Sequence, residues 1–172
     1  MARSAIFREG VEVYRFSWVV SAGVPILALF LQWSLPLRLS FFTVFDLPLL
    51  ATLYFAVARR NPIVGTVTGC AIGIAQDALT QQPLGVFGIA KSFAGYAASS
   101  IGVKVDVENP LSRLIMVFVF SLAHRAVYQQ VGKNMAQLPL PWSWTHELGA
   151  ALANALLAVV LFYFLDRLKQ RR

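Results

Sequence analysis

Long apolar stretches separated by short polar segments dominate the chain. Hydrophobic residues make up 58% of its 172 residues and charged residues 13%, against about 45–50% and about 25% in a typical soluble domain. A stretch of about 20 apolar residues can cross a bilayer as a helix. The pattern therefore predicts one integral membrane domain over residues 1–172, an all-α membrane protein built as a compact six-transmembrane-helix bundle. The predicted spans are 18–37, 41–58, 63–80, 84–101, 111–131 and 146–165.

The third predicted span carries glycines at every fourth position, Gly65, Gly69 and Gly73, and Asp77 continues the same spacing. Residues four apart lie along one stripe of a helix, and a stripe without side chains lets another backbone approach closely. The fourth span has glycines seven residues apart, at Gly88 and Gly95. Because a tight turn joins these two spans, we expect antiparallel neighbours with a helix-packing seam between their glycine faces. Such seams are common in membrane helices and by themselves identify no activity.

The basic residues flank the apolar spans and are unevenly divided between the two sides of the predicted bundle. With six spans, eleven of the fifteen Lys and Arg residues fall on the side of the chain termini, and only Arg38 and Lys133 fall on the other. The positive-inside rule then predicts that both termini are cytoplasmic. The net charge of +7 comes from these flanking residues, so we expect the lipid bilayer, and no nucleic acid, as a partner.

Five ionisable residues are predicted to lie in the outer half of the membrane: Asp46, Asp77, Lys91, Arg125 and Glu147. A charge at the bilayer centre costs roughly 2.5–3.5 kcal/mol, so such groups normally pair or face water. We expect an intramembrane polar centre formed by Asp77, Lys91, Arg125 and Asp46, in which Asp77 pairs with Lys91 or Arg125. The alternative is that Asp46 and Glu147 are interfacial residues in contact with water, and that Lys91 extends its ammonium towards the surface.

Motifs for catalysis or metal binding are absent from the sequence. It contains no phosphate-binding G-x-x-x-x-G-K-[ST] loop, no H-E-x-x-H and no serine in a nucleophile elbow. The two histidines, His124 and His146, lack ligand spacing, and the single cysteine, Cys70, fits a packing role. We expect His124 to pack or to form one hydrogen bond, and Asn154 to bond across helices. The sequence predicts a protein that is not an enzyme and that has no cofactor and no metal site.

Several motifs resemble the rod shape-determining protein MreD family. The run F-D-L-P-L-L at Phe45–Leu50 places a proline early in the second span, and G-T-V-T-G-C-A-I-G-I-A-Q-D at Gly65–Asp77 leads spaced glycines to an aspartate. P-L-G at Pro83–Gly85 and the Gly95–Tyr96 pair also match, as does Asn154 before a last apolar run and a basic tail. The resemblance covers nearly the whole chain. Asp46, Lys91 and Arg125 are not part of the family pattern, so the polar centre depends on the residue pattern alone.

This resemblance implies a non-enzymatic inner-membrane subunit of the bacterial cell-elongation complex. Members of the family scaffold MreC directly and, through it, MreB, RodA and the elongation transpeptidase of peptidoglycan synthesis. Their fold is similar to the substrate-binding S components of energy-coupling-factor vitamin transporters. An S component is therefore the alternative function, with an outer pocket for a vitamin and the loop 132–145 as the only connection long enough to form a lid. A helix-packing chaperone for another membrane protein is a third possibility.

Overall fold

A computed structural model describes residues 16–102, 109–138 and 142–168, and in these residues the protein is all-helical. Three of its helices, α3, α5 and α6, are long and apolar enough to cross a membrane, whereas α1 and α2 are shorter apolar helices. A 3₁₀ helix, Ser40–Val44, precedes α2. The six α-helices are α1 Trp18–Ser34, α2 Leu47–Arg59, α3 Pro62–Leu79, α4 Val86–Ile101, α5 Pro110–Met135 and α6 Trp144–Asp166.

An Asp or Asn cap beside a proline defines where α2, α3 and α5 begin. Asn61 accepts hydrogen bonds from the Ile63 and Val64 amides, and Asn109 accepts one from Leu111. Proline suits the first turn of a helix because the amide it lacks would have no partner there. Between α2 and α3 the turn is tight because Arg60 adopts a left-handed conformation with φ of 51°. These local signals mark where the three helices begin.

The second helix, α2, is the centre of the bundle. Every residue from Pro48 to Ala58 is buried, and α2 contacts all five of the other α-helices. A helix that is apolar on all sides needs such a position. The surrounding helices instead expose large apolar side chains on their outer faces, as expected of a surface covered by lipid. Examples are Ile26, Val67, Phe93, Val119 and Val160.

Helices α3 and α4 pack backbone against backbone along the glycine-bearing stripe. A methyl group at Gly69 would overlap the carbonyl oxygen of Lys91, and one at Gly73 would overlap the carbonyl of Phe87. No side chain larger than hydrogen fits between these two backbones without moving them apart. The seam therefore determines the height of Lys91 along the bundle, because its carbonyl lies directly opposite Gly69.

The other end of the α3–α4 hairpin, away from its turn, is equally close. Gly65 and Gly95 face each other, so that the carbonyl of each residue occupies the space a Cβ atom on the other would need. Gly88 differs from the other four predicted seam residues. The nearest group to a methyl on Gly88 is the side chain of Ile74, whereas the Gly88 backbone itself lies against Gly73.

The second span is where the predicted and observed helices differ most. Prediction placed its start at residue 41, but α2 begins at Leu47, after the 3₁₀ helix and an extended Phe45. The reason is that Pro48 belongs in the first turn of a helix and Asp46 caps it, whereas apolar content alone does not distinguish a short 3₁₀ turn from an α-helix. The expected 14-residue loop 132–145 is also shorter, since α5 continues to Met135 and α6 begins at Trp144.

Part of the charge asymmetry falls on residues that the structure does not describe. The arginines of the N-terminal lead, Lys104 and the basic residues after 168 lie outside the described ranges. Their predicted cytoplasmic location stays a prediction.

Candidate functional site: a polar cleft beside the central helix

A buried ion pair joins α4 to the start of α2. The Lys91 ammonium lies 2.7 Å from a carboxylate oxygen of Asp46, and Lys91 is fully buried. Asp46 is held in place because its other oxygen caps α2 by accepting a hydrogen bond from the Leu49 amide. The ammonium also lies 4.7 Å from the centre of the Phe87 ring, a cation–π distance. Lys91 is thus neutralised inside the protein and does not extend to the surface.

His124 completes this cluster from α5. Its Nε2 atom lies 3.4 Å from the Lys91 ammonium, and its ring stacks on Phe87 with an angle of 7° between planes. Lysine has no acceptor, so a hydrogen bond here requires Nε2 to accept and the ring proton to be on Nδ1. Its Nδ1 atom is 3.9 Å from Asp46. In the sequence, Ser121, His124 and Tyr128 follow one another at steps of three and four residues. That spacing places all three on one face of α5, and this face is buried.

Asp77 does not pair with Lys91 or Arg125, contrary to expectation. Its carboxylate accepts hydrogen bonds from the backbone amides of Gly85, Phe87 and Gly88, at 2.9, 3.1 and 3.3 Å. Gly85 is the N-cap of α4, has a φ of 102° and offers no side chain to the free amides of the first turn. A buried carboxylate from the preceding helix takes that role, where the helix dipole also favours a negative charge. Asp77 ties the end of α3 to the start of α4.

Arg125 pairs with Glu147 across α5 and α6. The Arg125 Nε atom lies 3.1 and 3.0 Å from the two carboxylate oxygens, and the guanidinium is 5.4 Å from the Tyr128 ring centre. The side chain of Glu147 is 6% exposed and that of Arg125 is 40% exposed. Glu147 is therefore buried against its partner, and not an interfacial residue in water, while Arg125 reaches the open side of the cluster.

Two amides hold the irregular segment before α2 in position. Asn154 accepts a hydrogen bond from the Asp46 amide and donates to the carbonyls of Val44 and Ala150. Gln32 donates to the Phe45 carbonyl and accepts from the Leu47 amide. Backbone groups between the 3₁₀ helix and α2 would otherwise have no partner in an apolar surrounding. Asn154 thus bonds across helices as predicted, and it holds the backbone that carries Asp46.

A cleft of about 130 Å³ lies between the two ion pairs. Residues from all six α-helices and from the segment before α2 line it. At about 30 Å³ per molecule it has room for about four waters. Gln76 and Ser121 line it and are 4% and 7% exposed, yet Gln76 Oε1 and Ser121 Oγ have no hydrogen-bond partner among the described residues. An unsatisfied buried polar group costs about 1–3 kcal/mol, so both atoms gain from a hydrogen bond to water or another small molecule in the cleft.

The predicted polar centre is therefore divided. Asp46, Lys91 and Arg125 all lie at the cleft or directly behind it, whereas Asp77 serves the α3–α4 turn. Sequence reasoning missed Gln76 and Ser121, which carry no charge and stand out only once burial is known. In the described part of the chain, no three His, Cys, Asp or Glu side chains are grouped to hold a metal ion. Ser121 and His124, which both line the cleft, share no hydrogen bond in the described residues.

Comparison with protein-family models, curated proteins and solved structures returns no match.

Proposed function

We propose that the protein is a non-enzymatic inner-membrane scaffold of the bacterial cell-elongation complex, of the MreD type. The observation that carries the proposal is the α3–α4 hairpin. Residues Gly65–Asp77 and Pro83–Gly85, on which the resemblance depends, are the ones that bring the two backbones together and cap the turn. Residues that fix two helices against each other are expected of a rigid scaffold, because a partner protein binds to helices held in fixed relative positions.

In this proposal all six helices cross the membrane, with both termini in the cytoplasm. The obstacle is length, because α2 has 13 residues and α4 has 16, or about 20 and 24 Å at a rise of about 1.5 Å per residue. Both are shorter than a hydrocarbon core of about 30 Å. For α2 the central position compensates for the short length, since protein surrounds its backbone. The 3₁₀ helix before it adds further residues to the same membrane crossing.

The proposed direct partner is MreC, and MreB, RodA and the elongation transpeptidase would associate in the larger complex. The outer faces of α3 and α6 support a role in helix association. They expose long apolar stretches that contain no charged residue. Cofactors and catalytic groups have no place in this role.

An energy-coupling-factor S component is the second candidate, and the polar cleft is the observation that favours it. The volume argues for the scaffold instead. Pockets for drug-sized ligands are typically about 300–1,000 Å³, and the cleft has about 130 Å³. A vitamin does not fit that space without movement of the helices around it.

Gentle solubilisation of native membranes, capture of the tagged chain and mass spectrometry of the eluate test the proposal. We expect a single-span coiled-coil protein of the MreC type to co-purify in a defined ratio. Recovery of a tightly held vitamin together with an energising transporter subunit would replace the scaffold by the S component. Recovery of the chain with neither would contradict both functions.

A further inference from the structure

We infer that the polar cleft is a binding site for a small uncharged polyol, or for the polyol end of a larger molecule. The inference begins from Gln76 Oε1 and Ser121 Oγ, two buried atoms that lack a partner in the described part of the chain. Both residues are more than nine-tenths buried, and both line the same cleft. They come from different helices, α3 and α5, and both face the same cleft, so an occupant of the cleft is placed to bond to either.

The charge of the lining selects a neutral occupant. Asp46 is neutralised by Lys91 at 2.7 Å, and Glu147 by Arg125 at 3.0 Å. Each charge at the cleft thus already has an opposite charge in contact. An ion that entered would lose its hydration without gaining an unpaired counter-charge, which disfavours it. A neutral molecule avoids that loss.

The two unpartnered atoms select hydroxyl groups. Gln76 Oε1 only accepts a hydrogen bond, whereas Ser121 Oγ can donate one and accept others. A hydroxyl group both donates and accepts, so two neighbouring hydroxyls on one molecule match the pair. Apolar molecules would leave both atoms unsatisfied. Water also matches them, but a polyol keeps the same bonds and loses less freedom per bond formed, since its hydroxyls are already joined.

Size and access set the remaining limits. A volume of about 130 Å³ is close to the 150 Å³ of an engineered cavity that binds benzene, and suits a three-carbon triol or one edge of a sugar ring. Among the charged side chains that line the cleft, Arg125 is 40% exposed, so the cleft borders the surface at that residue. Two sources present such a group: a free polyol, and the glycerol headgroup of phosphatidylglycerol. This site does not depend on the proposed scaffold function.

The test uses glycerol as probe and the full-length protein in phosphatidylcholine nanodiscs. Saturation-transfer NMR, with empty nanodiscs as the blank, should show contact between glycerol and the protein. We expect Gln76→Leu and Ser121→Ala to weaken that binding by about tenfold each, the effect of losing one well-formed hydrogen bond. Ser99→Ala is the matched control, because Ser99 is also buried but its hydroxyl bonds to the Gly95 carbonyl at the seam.

A second readout separates lost binding from lost folding. Without glycerol, the Gln76→Leu and Ser121→Ala proteins should unfold at the same temperature as the unaltered protein or higher, since each removes a buried polar atom without a partner. Acetate and methylammonium, compared on the unaltered protein, should bind more weakly than glycerol. Glycerol binding that is absent, equal in all variants, or matched by either ion would overturn the inference, and its absence would mean that water alone fills the cleft.

Nanodiscs that contain phosphatidylglycerol distinguish the two sources. If the lipid headgroup occupies the cleft, free glycerol loses its signal in these nanodiscs, and the Gln76→Leu variant retains less phosphatidylglycerol through purification than the Ser99→Ala control. If the occupant is a soluble polyol, the glycerol signal is the same in both kinds of nanodisc. The co-purification of MreC is unaffected by either result, so the two proposals fail separately.

Discussion

Removing either member of the Lys91–Asp46 pair should destabilise the protein, and the two losses of stability should differ. Asp46→Asn leaves the ammonium of Lys91 fully buried, with a neutral amide and His124 as its neighbours. Lys91→Met leaves the Asp46 carboxylate, which is 19% exposed and keeps its hydrogen bond from the Leu49 amide. The group stranded by Asp46→Asn is therefore the less compensated one, and we expect this variant to be the more destabilised.

The magnitude follows from the separation and the burial. At 2.7 Å and an effective dielectric constant of about 20, the attraction between two unit charges is about 6 kcal/mol, much of which offsets the loss of their hydration. Removing one member of a buried pair typically costs about 3–5 kcal/mol. We expect about 3–4 kcal/mol for Asp46→Asn and about 1–2 kcal/mol for Lys91→Met, because partial exposure and the helix cap stabilise the remaining carboxylate.

The double variant, Asp46→Asn with Lys91→Met, removes both charges and should be close to the unaltered protein, within about 1.5 kcal/mol, because an uncharged pair of similar volume leaves nothing stranded. The assay is equilibrium unfolding of the detergent-solubilised protein, followed by near-ultraviolet circular dichroism, as a complete double-mutant cycle. Additive losses, or a greater loss for Lys91→Met than for Asp46→Asn, would refute the reasoning from burial.

Three further predictions concern the seam and the polar contacts around it. Gly69→Leu should prevent the close approach of α3 and α4 and sharply lower the yield of folded protein in size-exclusion chromatography, whereas Gly23→Leu, which has open space around it, should behave normally; equal behaviour of the two would contradict the seam. Asp77→Ala removes three hydrogen bonds from amides and should cost about 2–4 kcal/mol in chemical unfolding, and Asp77→Asn about half as much because one oxygen still accepts; equal losses in the two variants would show that the charge, and not the cap, matters. Asn154→Leu should cost about 2–3 kcal/mol by the same measurement and increase amide hydrogen exchange at Asp46, and unchanged exchange there would mean that Asn154 does not hold this segment.

The helices themselves were largely predictable from the sequence, because apolar length and local caps determine most of them. Pro62 and Pro110 sit in first turns beside Asn caps, and the observed helices begin there, one residue from the predicted starts. The second span was placed six residues too early, since its apolar residues before Asp46 form a 3₁₀ helix. Apolar content indicates that a segment can lie in lipid, but it does not distinguish a 3₁₀ helix from an α-helix.

The partners of the charged residues could not be predicted in the same way. Lys91 and Asp46 are 45 residues apart in the chain, and they meet only because α2 occupies the centre of the bundle. Asp77 was expected to need a cation, but the amides of the turn eight to eleven residues later satisfy it. Which donor reaches a carboxylate depends on how a turn closes, and helix periodicity carries no information about that.

The ion pair also bears on how the chain is made, if six helices cross the membrane as proposed. Helix α4 has 16 residues and carries an ammonium, which costs roughly 2.5–3.5 kcal/mol at the middle of a segment that leaves the translocon alone. Asp46 and the glycine face of α3 precede Lys91 in the chain, so the ribosome has already delivered both when α4 emerges. Membrane insertion of α4 is then assisted by the two helices made before it, α2 through Asp46 and α3 through its glycine face.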